Sequence, residues 1–115
     1  MKLKQTADVP ATQVQTEGAS GVKIQWLISR DDEPENFCLR VLELEPGGHT
    51  PLHSHPWEHE VFILSGEGRL VSPQGETDLK PESVIHIPTA EDHQFRNTGQ
   101  EPLKFICVVP KSAEY

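Results

Sequence analysis

Three observations predict that this sequence folds as an all-β domain. Turn-forming residues are frequent and scattered, with ten prolines and eight glycines in 115 residues, and scattered breakers chop a chain into short elements. Short apolar runs recur between those breakers at the regular spacing of a sandwich or barrel. No stretch carries both the period and the caps of a three-turn helix. A chain of 115 residues has room for one domain, and a chain of this size buries roughly 65 % of its unfolded surface.

The elements follow in order. Residues 1–21 are polar and weakly periodic, and are read as an N-terminal arm, either loose or an edge strand pairing with a neighbour. Residues 22–115 are read as the single barrel domain. KIQWLI (Lys23–Ile28) reads as a strand, ended by the polar stretch Ser29–Asn36. FCLRVLEL (Phe37–Leu44) is the next, closed by Glu45-Pro46-Gly47-Gly48. EVFIL (Glu60–Leu64) leads into the turn Ser65-Gly66-Glu67-Gly68, and RLVS (Arg69–Ser72) stops at Pro73-Gln74-Gly75. TDLK (Thr77–Lys80) is a weak run between turn signals. SVIHIP (Ser83–Pro88), HQFRN (His93–Asn97) and LKFICVV (Leu103–Val109) complete the series. No internal repeat or low-complexity tract interrupts it.

Composition narrows the partners. Eighteen acids against ten bases give a formal charge of −8, which argues against nucleic acid, whose binders cluster Lys and Arg. The same excess argues against an anionic membrane surface, and no apolar run approaches the roughly 20 residues of a membrane span. MKLKQTADVP lacks the apolar segment of a signal peptide. Two cysteines, Cys38 and Cys107, do not make a disulfide framework, although one disulfide stays open. The expectation is a reduced, cytoplasmic protein.

Three of the six histidines lie within seven residues, His53-Ser54-His55-Pro56-Trp57-Glu58-His59. In extended chain, residues two apart face the same side, so His53 and His55 present their rings to one point. Pro56 cannot donate to a ladder, so the chain turns there and re-enters a strand near His59. His93 opens a later strand after the loop-like stretch Pro88–Asp92. An isolated HxH pair is usually two surface histidines; the third and fourth favour a metal site.

At this point the sequence resembles the cupins. GGHTPLHSHPWEHEVFILSGEG (Gly47–Gly68) is similar to their first motif: a glycine, five residues, HxH, a gap, an acid, six residues and a glycine. Gly47, His53, His55 and Gly66 fit it directly. His59 satisfies both remaining spacings and so stands where the family places the acid, whereas Glu60 satisfies only one. Residues 82–97 resemble the second motif through Pro88, His93 and Asn97, with Glu82 and Ala90 in place of two glycines. The resemblance implies a double-stranded β-helix, or jelly-roll barrel, and metal ligation by His53, His55, His59 and His93. It is nearest to the small single-domain bacterial members that hold manganese with four histidines. Small cupins commonly dimerise, so the expectation is a homodimer to which the arm contributes.

Four neutral imidazoles around a divalent ion leave a +2 centre, more attractive to carboxylates, phenolates and enolates than a site with one carboxylate. An octahedral ion keeps two adjacent positions open. Manganese is expected first from the resemblance, with iron, nickel, copper or zinc suited to imidazole donors. Proton competition predicts metal release below about pH 6. Candidate pocket residues are Arg40, Phe95, Phe105 and Cys107, although an outward, salt-bridged face is the commoner fate of Arg40 and of Arg96. His86 is expected to pack or to support the site, and Trp57 and Glu58 to lie in a turn or rim. The function expected is a dioxygenase-type oxidoreductase acting on a small oxygenated or aromatic compound. A non-enzymatic metal-anchored binding or sensing module, and a metal-dependent isomerase or lyase, are the alternatives, since a fold does not fix a function.

Overall fold

The computed structural model describes residues 1–113. Nine strands form among the described residues: β1 (Thr12–Gln13), β2 (Ser20–Ile28), β3 (Phe37–His49), β4 (His59–Ser65), β5 (Gly68–Ser72), β6 (Gly75–Leu79), β7 (Val84–Ile87), β8 (Gln94–Asn97) and β9 (Leu103–Pro110). Their hydrogen-bonded order is β6-β5-β8-β3-β9-β4-β7, with β2 on β3 and β1 on β2. Every pair is antiparallel. The sheet curls so that its inward faces share one core, the jelly-roll barrel that the resemblance implies. Helical structure among the described residues is limited to the 3-10 turns Thr6–Asp8 and Arg30–Asp32. None of the helices is long and apolar enough to cross a membrane.

The core follows from the period-two alternation of its strands. On β9, Leu103, Phe105, Cys107 and Val109 are buried while the residues between them are half exposed. Register sets these four opposite Leu44, Leu42, Arg40 and Cys38 of β3. On the other side of β3, Val22, Ile24 and Trp26 face Leu44, Leu42 and Arg40. Strand β4 adds His59, Val61 and Ile63. Arg40 is the charged member of these inward rows. Buried Asn97 ties a turn to the barrel, its Nδ2 donating to the Leu44 and Glu101 carbonyls at 2.9 and 2.8 Å.

One expectation is corrected. Glu45-Pro46-Gly47-Gly48 does not end its strand; β3 continues bent to His49. Gly47 takes φ +83°, and a Cβ on Gly48 would meet the Ser20, Gly21 and Glu45 carbonyl oxygens at 2.9 Å. The register jumps here from Val22↔Leu44 to Ser20↔His49, so the glycines make a bulge rather than a turn. The arm, in turn, lies on its own chain. Thr12 and Gln13 pair with Ile24 and Lys23, and the Val14 amide donates to the Val22 carbonyl at 2.9 Å. Lys4 reaches Asp32 at 2.7 Å and, as the largest influence, holds its carboxyl down at about 2.

Candidate metal centre and pocket

Two backbone pairings bring the histidines together. His53 and His93 form an isolated antiparallel bridge, exchanging amide-to-carbonyl hydrogen bonds of 3.2 and 3.0 Å. The Ala90 amide, in the loop before His93, donates to the His55 carbonyl at 2.9 Å. Pro56–Glu58 then carry the chain round to His59, which points inward from the start of β4. His53, His55 and His93 are positioned for a metal ion, with one nitrogen from each lying within 4.8 Å of the others. His59 joins them from the side: its Nε2 lies 2.6 Å from His55 Nε2, and its ring centroid is 5.2 Å from that of His93.

The far side of each ring fixes its chemistry. Nδ1 of His53 donates to the Pro51 carbonyl at 2.8 Å, that of His55 to Trp57 at 3.2 Å and that of His93 to Glu91 at 2.9 Å. A proton held on Nδ1 leaves Nε2 as a bare lone pair, the arrangement of a metal-binding imidazole. His59 differs, because its Nδ1 faces Cys107 Sγ at 3.1 Å. His59 Nε2 lies 2.6 Å from His55 Nε2, so the two nitrogens share one proton or, with both Nδ1 atoms protonated, turn two lone pairs to a point that a cation would occupy. This donor set fits a divalent ion.

Burial strengthens the fit by keeping the rings neutral. Desolvation, chiefly, lowers His55 from the ordinary 6.5 to about 4 and His59 to about 2, with Arg40 adding to both. His93 is lowered by the same burial. Desolvation pushes the Cys107 thiol up, while neighbouring Arg40 opposes the shift. A buried ring competes poorly for protons.

The histidines sit at the bottom of a cavity of about 390 Å³. Arg40, Phe95, Phe105 and Cys107 all line it. Arg40 is therefore inside the barrel and not on the outward, salt-bridged face. Its Nη2 donates to Cys107 Sγ at 3.4 Å, and its guanidinium carbon lies 5.3 Å from the Trp26 ring centroid. Arg96 is exposed, as is Glu60, which removes Glu60 from the ligand set. His86 is not packed but exposed, its Nε2 2.9 Å from Glu58.

Sequence reasoning missed part of the wall. Trp57 lies in the turn, as expected, and from there its ring stacks on His55 with centroids 4.5 Å apart and planes 8° from parallel. Trp26 and the arm residues Thr12, Val14, Gln15 and Thr16 also line the cavity. Trp26 carries a signal that could have found it, since it shares strand parity with Val22 and Ile24. The arm carries none, because two residues of pairing leave no period to read.

Comparison with known proteins agrees with this architecture. A family model described as the cupin domain matches residues 40–109. The chain is 38 % identical over 71 residues to 1-methylthio-D-xylulose 5-phosphate methylsulfurylase of Rhodospirillum rubrum, covering 62 % of this chain and 46 % of that protein. It thus spans about half the length of that relative. It is 33 % identical over 94 residues to the oxalate-binding protein of Thermotoga maritima, covering 80 % and 78 % of the two. The solved structure of the polyketide cyclase RemF from Streptomyces resistomycificus superposes with a TM-score of 0.91 at 34 % identity, over 97 % of this chain and 80 % of that one. With a matching barrel, matching motifs and a model covering more than half its length, the chain belongs to the cupin family.

Proposed function

We propose that this cupin is a metal-dependent enzyme that holds a divalent ion with His53, His55, His59 and His93 and transforms a small oxygenated, enolisable or aromatic compound. The observation that carries the reading is the set of imidazoles with Nδ1 tied back and Nε2 turned to one point. A bound ion would act as a Lewis acid, stabilising negative charge on a coordinated oxygen. The chain does the rest. Trp26, Trp57, Phe95 and Phe105 wall the cavity and suit a flat unsaturated ligand, excluding water from it. Arg40 adds positive charge beside the histidines. The arm adds Thr12, Val14, Gln15 and Thr16 to the wall.

Lewis-acid chemistry without oxygen, of the isomerase, lyase or cyclase kind, is the leading reading. It is supported by the likeness to a polyketide cyclase over nearly the whole chain. The Cys107 thiol 3.1 Å from His59 points the same way, because a redox centre exposes a neighbouring thiol to oxidation. Dioxygenase chemistry is the second reading, favoured by the two adjacent positions that four ligands leave on an octahedral ion. Manganese is the ion proposed, on the resemblance, and a homodimer the assembly.

Protein purified without a chelating tag and reconstituted anaerobically with manganese, iron or zinc decides between these. Offered a panel of β-polyketones and catechols, it is expected to turn over at least one without taking up dioxygen. Turnover only with stoichiometric oxygen uptake would establish the dioxygenase instead. Tight binding with no turnover of any kind would make the chain a binding module.

A further inference from the structure

The cavity wall holds two hydrogen-bond donors with nothing to bond. Arg40 Nε and Trp57 Nε1 are buried and have no partner, and they are the buried side-chain nitrogens or oxygens in that condition among the described residues. Both residues line the histidine cavity. A buried donor left unmade costs about 1–3 kcal/mol, more when charged, so two of them in one cavity mark a place where an acceptor belongs. Among the described residues Arg40 also lacks a countercharge. No carboxylate forms a salt bridge with it among the described residues, and no Asp or Glu lines the cavity.

The strand register explains how a guanidinium came to be there. Trp26, Arg40 and Cys107 stand opposite one another across β2, β3 and β9. Arg40 is thereby held between the Trp26 ring, 5.3 Å away, and the Cys107 sulfur, 3.4 Å from Nη2. Neither neighbour neutralises it. A fixed, desolvated cation with spare donors is the usual means of gripping an anionic oxygen.

We infer that the cavity is built for a ligand that presents acidic oxygen to the histidine centre and a separate carboxylate to Arg40, with help from Trp57. This deepens the function proposed above and rests on its metal centre. It makes Arg40 the residue that selects ligands carrying that carboxylate over those that lack it. The chain's net charge of −8 gives such a ligand no long-range attraction, so selection comes from the pocket itself.

Catechol and the two dihydroxybenzoate isomers that keep its adjacent hydroxyls supply the probes. Their affinities for the metal-loaded protein are read by calorimetry, with metal content measured on each sample. On the wild type, at least one of the carboxylates is expected to bind about tenfold or more tighter than catechol, the gain of a buried charge-assisted hydrogen bond. In Arg40→Met the ratio of carboxylate to catechol affinity falls to about one while metal content holds; Arg40→Lys keeps part of that ratio. Carboxylates no tighter than catechol on the wild type would overturn the inference while leaving the metal centre standing, and this arm needs no variant to fold. An advantage that survives Arg40→Met would overturn it equally. Failure of catechol to bind metal-loaded protein more tightly than metal-free protein would remove the metal reading, and this inference with it.

Discussion

At the residue scale, the informative histidine is His59, which occupies the place where the resemblance puts an acid. Its sequence spacing singles it out; in the structure it is buried on β4 while Glu60 is exposed. Replacing it by glutamate lowers the charge of a loaded site by one. His59→Glu is therefore expected to keep metal but to weaken catecholate binding by about tenfold, the order of a single close charge interaction; calorimetry on the loaded variant checks this. Cys107 acts behind it. It is the partner available to His59 Nδ1, where the other three rings use backbone carbonyls that no substitution can remove. Loss of an outer partner typically costs about 10–100-fold in metal affinity. Cys107→Ala should show that loss in a chelator-competition titration, whereas Cys107→Ser, which keeps an acceptor, should recover most of it.

How much of the site was legible depended on what each residue's sequence neighbours reveal. The histidines were legible because two motifs fix their spacing. Arg40 was legible only as an option: it shares parity with Cys38, Leu42 and Leu44, all inward, and a strict reading of FCLRVLEL as alternating would have put it inside. Trp57 was not legible, because its place depends on a loop that folds its indole back onto His55, and loops have no period.

At the element scale, the strands were read from their apolar runs and the structure places all of them, with boundary shifts of a few residues. What propensity concealed was continuity. Pro46-Gly47-Gly48 has turn chemistry, yet β2 lies alongside and turns the glycines into a bulge. The two departures from the second motif belong here as well. Glu82 and Ala90 stand where glycines are expected and adopt φ of 71° and 65°, a left-handed conformation that costs a residue with a Cβ roughly 1–2 kcal/mol. Both turns matter, since the Glu82 amide donates to the Ile63 carbonyl and that of Ala90 to His55. Glu82→Gly and Ala90→Gly are each expected to stabilise the protein by about 0.5–1 kcal/mol, the unfolded-state entropy of glycine offsetting part of the relieved strain. Urea denaturation measures this; a loss of stability in either variant would contradict the account of these turns.

At the scale of the whole molecule, an acidic exterior encloses a cavity whose polar groups are donors and lone pairs awaiting cations and anions. Its pH dependence follows from the buried rings. When folded, His55 and His59 ionise well below 6.5 and His93 is lowered as well; unfolded, all three ionise near 6.5. Between those values the unfolded chain binds more protons than the folded one, so stability rises with pH there. The metal-free protein is expected to lose melting temperature steadily from pH 6.5 down to about 4, where His55 itself titrates. A metal that binds only the folded state should raise the melting temperature at neutral pH, and raise it less as acid competes. A melting temperature independent of pH across this window would contradict the burial of neutral histidines.

The central claim is that four imidazoles and no sulfur or carboxylate of this chain hold the ion. X-ray absorption on the zinc-loaded protein tests it most directly, because zinc–nitrogen bonds near 2.0–2.1 Å and zinc–sulfur bonds near 2.3 Å are resolved from each other. The account predicts a shell of nitrogen and oxygen donors with the outer-shell scattering of four imidazole rings, falling to three in His59→Ala. A sulfur scatterer, or three rings in the wild type unchanged by His59→Ala, would contradict it.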